Sequence, residues 1–123
     1  MIGLLTKDKQ LKQYFNQLVT NFGYRFTSEN KEVIEGLKRQ WVDVLVLDDK
    51  TIDSFSVYQE IKQFHPSCQI VLIYEKGNGL VRDVIQNGIH AWNRRFFNQC
   101  SQREIQALFL YLTKISEGGN GKK

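Results

Sequence analysis

Apolar residues along the chain follow two alternating patterns. Five short apolar runs have the composition of β-strands, at residues 2–5, 24–27, 44–47, 69–74 and 89–92. Between and after these runs, apolar residues recur every three or four positions, as they do on one face of an α-helix. Strands that alternate with helices predict an α/β fold, with one parallel five-stranded sheet covered by helices on both faces.

The helical stripes lie at residues 11–22, 33–37, 57–64, 80–85 and 105–115. Gly23 is placed to end the first helix, as a glycine after a helix often does. Ser28 or Asn30 is placed to cap the second helix. Ser101 and Glu104 form an S-x-x-E capping box, which predicts that the last helix begins there.

The length of 123 residues is that of one domain. Residues 1–116 form the predicted domain, and the polar, glycine-rich sequence at 117–123 indicates a flexible linker or tail. No apolar run is long enough to span a membrane and the N-terminus has no signal-peptide pattern, so we expect a cytoplasmic protein. Cys68 and Cys100 form neither a disulfide framework nor a zinc-binding spacing, and we expect two buried or half-buried thiols.

The net charge is +4 and the isoelectric point is about 9.1. Lys122 and Lys123 supply half of the excess charge, and the other basic residues are scattered. This distribution predicts a solvated basic surface, although a face for an acidic partner stays open as an alternative.

Candidate chemistry gathers where the predicted strands end, because functional groups of doubly wound sheets lie at the carboxyl ends of the strands. A site at this edge would combine carboxylates, cations and a phenol. The residues placed there are Thr6, Lys7, Asp8, Asp48, Asp49, Tyr74, Glu75, Arg94 and Arg95.

Three stretches of the chain resemble the receiver domain of bacterial response regulators. "VDVLVLD" and "SVYQEIKQFHPSCQIVLI" are similar to its third strand, third helix and fourth strand, and "VIQNGIHAWNRRFF" to the end of its fourth helix and its fifth strand. The resemblance covers residues 1 to about 116 and implies the CheY-like variant of the flavodoxin-like (βα)5 fold. It also implies two-component or phosphorelay signal transduction, in which phosphoryl groups pass from a phosphohistidine to an aspartate.

The resemblance assigns Asp48 to the phosphoacceptor position. Thr6 and Lys7 stand where the family has the acidic pair that holds Mg²⁺, and Asp8 lies one residue further on. Asp8 and Asp48 alone make a poor site for a hard cation that needs several oxygen ligands, so we expect no cofactor and disfavour Mg²⁺. Lys7 could replace the metal as a fixed positive charge.

Three further positions depart from the family pattern. Tyr74 replaces a small hydroxyl residue and is expected to crowd the space for a phosphoryl group, and Arg95 replaces a lysine that pairs with it. Phe96 replaces a proline, whereas Trp92 keeps the aromatic residue of the fifth strand. The resemblance places Trp92 and Phe96 on a dimer or partner face.

These departures predict an atypical receiver, or pseudo-receiver, that is not an enzyme and in which Asp48 forms an ion pair with Lys7 or Arg95. It would act by contact with an attached output domain or partner protein, as in transcription regulation, and by homodimerisation. A sensor kinase is an expected partner, a membrane is not, and nucleic acid would be reached only through an attached domain. Two alternatives stay open: a conventional receiver that is phosphorylated on Asp48, and a CheY-like adaptor or nucleic-acid-binding module.

Overall fold

The computed structural model describes residues 1–75, 90–95 and 99–121. The predicted helix at residues 80–85 lies outside these ranges. In chain order the elements are β1 (Ile2–Leu5), α1 (Lys9–Asn21), β2 (Phe26–Thr27), α2 (Asn30–Lys38), β3 (Val44–Asp48), α3 (Ser54–Phe64), β4 (Gln69–Tyr74), β5 (His90–Asn93) and α4 (Gln102–Gly121).

The five strands form one parallel sheet in the order β2-β1-β3-β4-β5, which confirms the predicted doubly wound, flavodoxin-like architecture. The chain moves outward from β1 to β2 and then returns to the other side of β1 to form β3. The order therefore reverses between β1 and β3. In open α/β sheets, the crevice at the carboxyl ends of two such strands is where ligands bind.

Two apolar layers cover the sheet. On one face, Val44 and Val46 of β3 pack in a cluster with Phe15 of α1 and Phe109 of α4. On the other face, Leu45 and Leu47 pack in a second cluster with side chains of α2 and α3. Every residue of β3 is buried, because a central parallel strand is covered on both faces.

Two of the predicted helix ends are confirmed. Gly23 follows α1 with a φ of +82°, a conformation that glycine adopts without steric cost. At the start of α4, the Ser101 amide donates to Glu104 Oε1 (3.0 Å) and the Glu104 amide donates to Ser101 Oγ (3.2 Å). Hydrogen bonds from the backbone and then the side chain of Ser101 lower the pKa of Glu104, because they favour the charged carboxylate.

The predicted cap of α2 was wrong. Neither Ser28 nor Asn30 caps this helix, and Glu29 at the N-cap makes no side-chain capping bond. The side chain of Thr27 makes the hydrogen bonds at the start of this helix instead. Its Oγ1 accepts from the Glu29 amide (3.3 Å) and donates to Glu32 (3.1 Å).

Other boundaries also differ from the sequence patterns. β2 contains only Phe26 and Thr27, and α4 continues to Gly121, beyond the domain boundary predicted at residue 116. The division into a domain and a tail stays a prediction.

Cys68 is buried and Cys100 half-buried, both as free thiols. Among the described residues, no helix has the length and apolar content to cross a membrane.

A strained residue follows the end of α2. Gln40 has a φ of +62°, in the left-handed region that costs a non-glycine residue about 1 kcal/mol. The Trp41 amide then donates to the Gly36 carbonyl at 2.6 Å, which closes the helix. Gly36 is required here because a Cβ at this position would lie 2.8 Å from Val42 Cγ2.

Gln40→Gly should raise the free energy of unfolding by about 0.5–1 kcal/mol, since glycine adopts this φ without steric cost. Urea unfolding followed by circular dichroism would measure the change. Gln13→Gly, in the exposed middle of α1, is the control and should lose about 1 kcal/mol. Destabilisation by both substitutions would mean that Gln40 is not strained.

Candidate functional site

Asp48 ends β3 with no solvent exposure, and its carboxylate accepts hydrogen bonds on both oxygens. Oδ2 accepts from the hydroxyls of Thr6 (2.6 Å) and Thr51 (3.1 Å). Oδ1 accepts from the Lys50 amide (3.2 Å) and from Nη2 of Arg94. An ionised carboxylate offers about four acceptor positions, so these four donors satisfy it.

The order of the strands explains why the two hydroxyls meet Asp48. β1 pairs with β3 in register, Leu5 opposite Leu47, so the next residue of each strand, Thr6 and Asp48, lie side by side. The turn after β3 returns Thr51 to the same carboxylate, where its amide donates to the Asp48 carbonyl at 3.1 Å.

Arg94 is the cation of this site and contacts three carboxylates. Besides the contact of Nη2 with Asp48, Nη1 lies 3.5 Å from Asp8 Oδ2 and Nε lies 3.3 Å from Glu75 Oε1. Lys50 Nζ also lies 3.0 Å from Glu75 Oε1. The hydrogen bond from Lys50 lowers the pKa of Glu75, and the charges of Lys50 and Arg94 act in the same direction. The guanidinium therefore lies among carboxylates that come from three different parts of the chain.

A tight turn after β5 holds Arg94 in this position. The Arg94 amide donates to the Tyr74 carbonyl at 2.6 Å, which continues the pairing of β5 with β4. Asn93 Nδ2 donates to the Glu75 carbonyl (3.2 Å), and Asn93 Oδ1 accepts from the Arg95 amide (2.9 Å). The Asn93 side chain thus fixes both the end of β4 and the turn that carries Arg94.

Comparison with known proteins gives the fold a name. No protein-family model matches the sequence, and neither does any curated protein. Among solved structures, a CheY-like response regulator receiver domain protein from Methanospirillum hungatei aligns over 96% of both chains with a TM-score of 0.77 and 10% identity. The chain has the CheY-like receiver fold.

Two further structures show the same fold in other settings. The receiver domain of a sensor histidine kinase from Pseudomonas aeruginosa has a TM-score of 0.68 and 18% identity over 92% of this chain and 97% of that one. That protein was solved with a magnesium ion coordinated in its active-site cleft. NtrX from Brucella abortus, solved with ADP, has a TM-score of 0.76 and 14% identity over 98% of this chain but only 27% of its own.

The structure corrects the predicted cation of this receiver fold. The partner of Asp48 is Arg94, whereas Lys7 and Arg95 are exposed and have no ion-pair partner among the described residues. β5 ends at Asn93, so the first residue of the following turn, rather than the second, reaches the carboxylate. Among the described residues, the contact of Lys7 with the site is that of its backbone amide, which donates to Thr51 Oγ1 at 3.0 Å.

Of the other predicted site residues, two lie at the site and two pack against the apolar clusters. Thr6 and Asp8 lie at the site, as the strand ends indicated. Tyr74 is half-buried and packs against the apolar cluster on the α2–α3 face, which gives no support to the prediction that it crowds the space beside Asp48. Trp92 packs edge-on against Phe109, with ring centroids 5.8 Å apart. Phe96 lies outside the described residues.

Sequence reasoning missed Thr51 and the role of Arg94. A hydroxyl three residues after a buried aspartate was the available signal for Thr51, since short polar side chains commonly close turns of this kind. No local signal distinguishes Arg94 from Arg95, because both follow β5 and only the register of the turn decides which one reaches Asp48.

The donor set does not fit Mg²⁺ while Arg94 occupies it. Asp8 Oδ1 accepts from the Gln10 and Leu11 amides as the N-cap of α1, and Asp8 Oδ2 contacts Arg94. Both oxygens of Asp48 are also engaged. In the part of the chain that the structure describes, no group of three acidic, histidine or cysteine side chains has the geometry of a metal site.

Arg94→Met should lower the free energy of unfolding by about 3 kcal/mol, because it leaves the buried Asp48 carboxylate without its charged partner. Arg95→Met is the matched control next to it and should change stability by less than about 0.5 kcal/mol. Urea unfolding of both variants would test this, and equal losses would contradict the assignment of Arg94. Adding Asp48→Asn to Arg94→Met should cost less than the sum of the two single losses.

Proposed function

We propose that this chain is an atypical receiver domain of two-component or phosphorelay signalling, in which phosphorylation of Asp48 is impaired and signals pass through protein contacts. The observation that carries the proposal is that one guanidinium, that of Arg94, contacts both Asp48 and Asp8. These are the two carboxylates that a metal-assisted reaction would need to share.

The hydrogen bonds of Asp48 oppose nucleophilic attack. A carboxylate oxygen that attacks phosphorus must present a free lone pair, and the incoming phosphoryl group needs open space beside it. Both oxygens of Asp48 accept two hydrogen bonds, and the residue has no exposed surface. Charged hydrogen bonds contribute about 1.5–3 kcal/mol each. Before Asp48 can attack, its hydrogen bonds to Arg94 and to one hydroxyl must break, and this cost would slow the reaction by about a hundredfold or more.

The positive charge of Arg94 supports the same conclusion for the metal. Mg²⁺ needs nearly octahedral oxygen ligands and keeps several waters, whereas Asp8 and Asp48 already neutralise a cation that belongs to the chain. Glu75, which also contacts Arg94, is paired in turn with Lys50. A divalent ion would first have to displace the guanidinium.

A receiver with such a site acts by binding rather than by catalysis. We propose that it controls an attached output domain, such as one that regulates transcription, or a partner protein, with a sensor kinase and a second copy of the chain among the partners. NtrX, in which this fold accounts for about a quarter of the chain, supports attachment to other domains. Leu110 (41% exposed) and Tyr111 (60% exposed) on α4 supply apolar area for contact. A location in the cytoplasm is consistent with this role.

Millimolar Mg²⁺ and beryllofluoride should leave the tryptophan fluorescence of the wild type unchanged, since Arg94 occupies the position between Asp8 and Asp48. Asp48→Asn is the control. A saturable change in the wild type that Asp48→Asn abolishes would show a working phosphoacceptor and would support the conventional receiver instead.

Removal of the guanidinium should give the site an affinity for divalent cations. In Arg94→Ala, Asp8 and Asp48 are freed of their common cation and can bind a hydrated divalent ion together, so Mn²⁺ should raise the melting temperature of this variant but not of the wild type. Asp48→Asn/Arg94→Ala should lose the effect. Equal responses of all three proteins to Mn²⁺ would contradict the proposal that Arg94 excludes the metal.

A further inference from the structure

We propose that the surface around Trp41, at the amino end of the sheet, binds a second copy of this chain in a two-fold symmetric interface. This Trp41 surface consists of Trp41 and the groove beside it, which is lined by Met1, Arg25, Lys31, Glu32 and Glu35. This inference rests on the proposed function, which includes a second copy of the chain among the partners. It places their contact on a surface separate from α4.

The first observation is that the large aromatic side chain of Trp41 is exposed to solvent. Trp41 is 55% exposed, and the guanidinium carbon of Arg39 lies 5.2 Å from the centroid of its ring. Single exposed apolar residues are common on protein surfaces, so exposure alone does not indicate an interface. Two further features, the strained backbone before Trp41 and the groove beside it, distinguish this exposed residue.

The backbone holds Trp41 rigidly at this place. Gln40 adopts a strained φ of +62°, and the amides of Trp41 and Val42 both donate to the Gly36 carbonyl, at 2.6 and 3.2 Å. Val42 is fully buried, so the main chain at Trp41 is held between the end of α2 and the core. A strained backbone that presents a side chain to solvent is a reason to infer a function for that side chain. A main chain that is already ordered also lowers the entropy cost of binding.

The second observation is a groove directly beside the exposed ring. Its volume is about 370 Å³, within the range of pockets that hold small molecules, and the proposed contact places the indole of the second copy there. Trp41 itself forms part of the wall. A projecting aromatic ring and an adjoining groove on one surface are the two halves of an isologous contact, in which each copy offers both to the other.

The charges of the groove favour a second copy over other partners. Arg25 and Lys31 are cationic, whereas Glu32 and Glu35 are anionic. An isologous interface must be complementary to itself, and a patch with both signs meets this condition under two-fold rotation. A nucleic acid or an acidic peptide would instead require one predominant positive sign.

Among the described residues, the two carboxylates of the groove have contacts within the chain, whereas its two cations have no ion-pair partner. Glu35 pairs with Arg39 at 2.5 Å, and Glu32 accepts from Thr27. Arg25 and Lys31 are exposed, and neither has an ion-pair partner within the described residues. They can therefore meet Glu35 of the second copy, because the pair of Glu35 with Arg39 is exposed to solvent and contributes little to stability.

Sedimentation velocity of the full chain over a range of concentrations tests the proposal. We expect concentration-dependent dimers, and Trp41→Ala should raise the dimer dissociation constant at least tenfold while the circular dichroism spectrum is retained. In a Trp92→Phe background, the emission of Trp41 should shift to shorter wavelength as dimers form. A wild type that stays monomeric would overturn the inference, as would an unchanged dissociation constant in Trp41→Ala.

Two variants with opposite charge test the two-fold geometry. Arg25→Glu/Lys31→Glu and Glu32→Lys/Glu35→Lys should each self-associate at least tenfold more weakly, and an equimolar mixture should recover dimers. Failure of the mixture to recover would overturn the charge argument. Tyr111→Ala separates the surfaces: a dimer lost in Tyr111→Ala but kept in Trp41→Ala would refute the Trp41 surface and leave the proposed receiver function intact.

Discussion

The buried carboxylate of Asp48 is the constraint to which the rest of the sheet edge conforms. A charge without solvent exposure at the end of a central strand is stable only with an opposite charge and a full set of hydrogen bonds. Arg94 supplies the charge, and Thr6 and Thr51 complete the hydrogen bonds. The contacts that join β1, β3 and β5 at this edge are thus consequences of one buried anion.

Strands covered on both faces could be predicted from the sequence because their burial leaves a simple pattern. β1 and β4 have the predicted bounds, and β3 extends the predicted run by Asp48. β2 lies at the sheet edge, where only Phe26 and Thr27 pair with β1, so its apolar run overstates its length. The capping box of α4 could be predicted equally well, since Ser101 and Glu104 lie only three residues apart in the sequence.

The site could be predicted only in part, because its decisive contacts are distant in sequence. Strand order places Thr6 beside Asp48, and the resemblance to the receiver fold implied that order, which the alternation of strands and helices alone does not determine. The choice between Arg94 and Arg95 depends on where β5 ends, within one residue, and on the bonds that Asn93 makes to both sides of the turn. Apolar periodicity carries no information about either feature.

A cation that belongs to the chain differs from a bound metal in one respect that bears on regulation. A metal exchanges with solution, so its concentration and its phosphoryl ligand can shift a site between two states. Arg94 is part of the chain and cannot be diluted or chelated, so its charge stays beside Asp48, Asp8 and Glu75 whatever the concentration of metal ions. A site balanced in this way favours one state. Under the proposed function, what varies is the concentration of binding partners, which would shift populations by mass action without chemistry at Asp48.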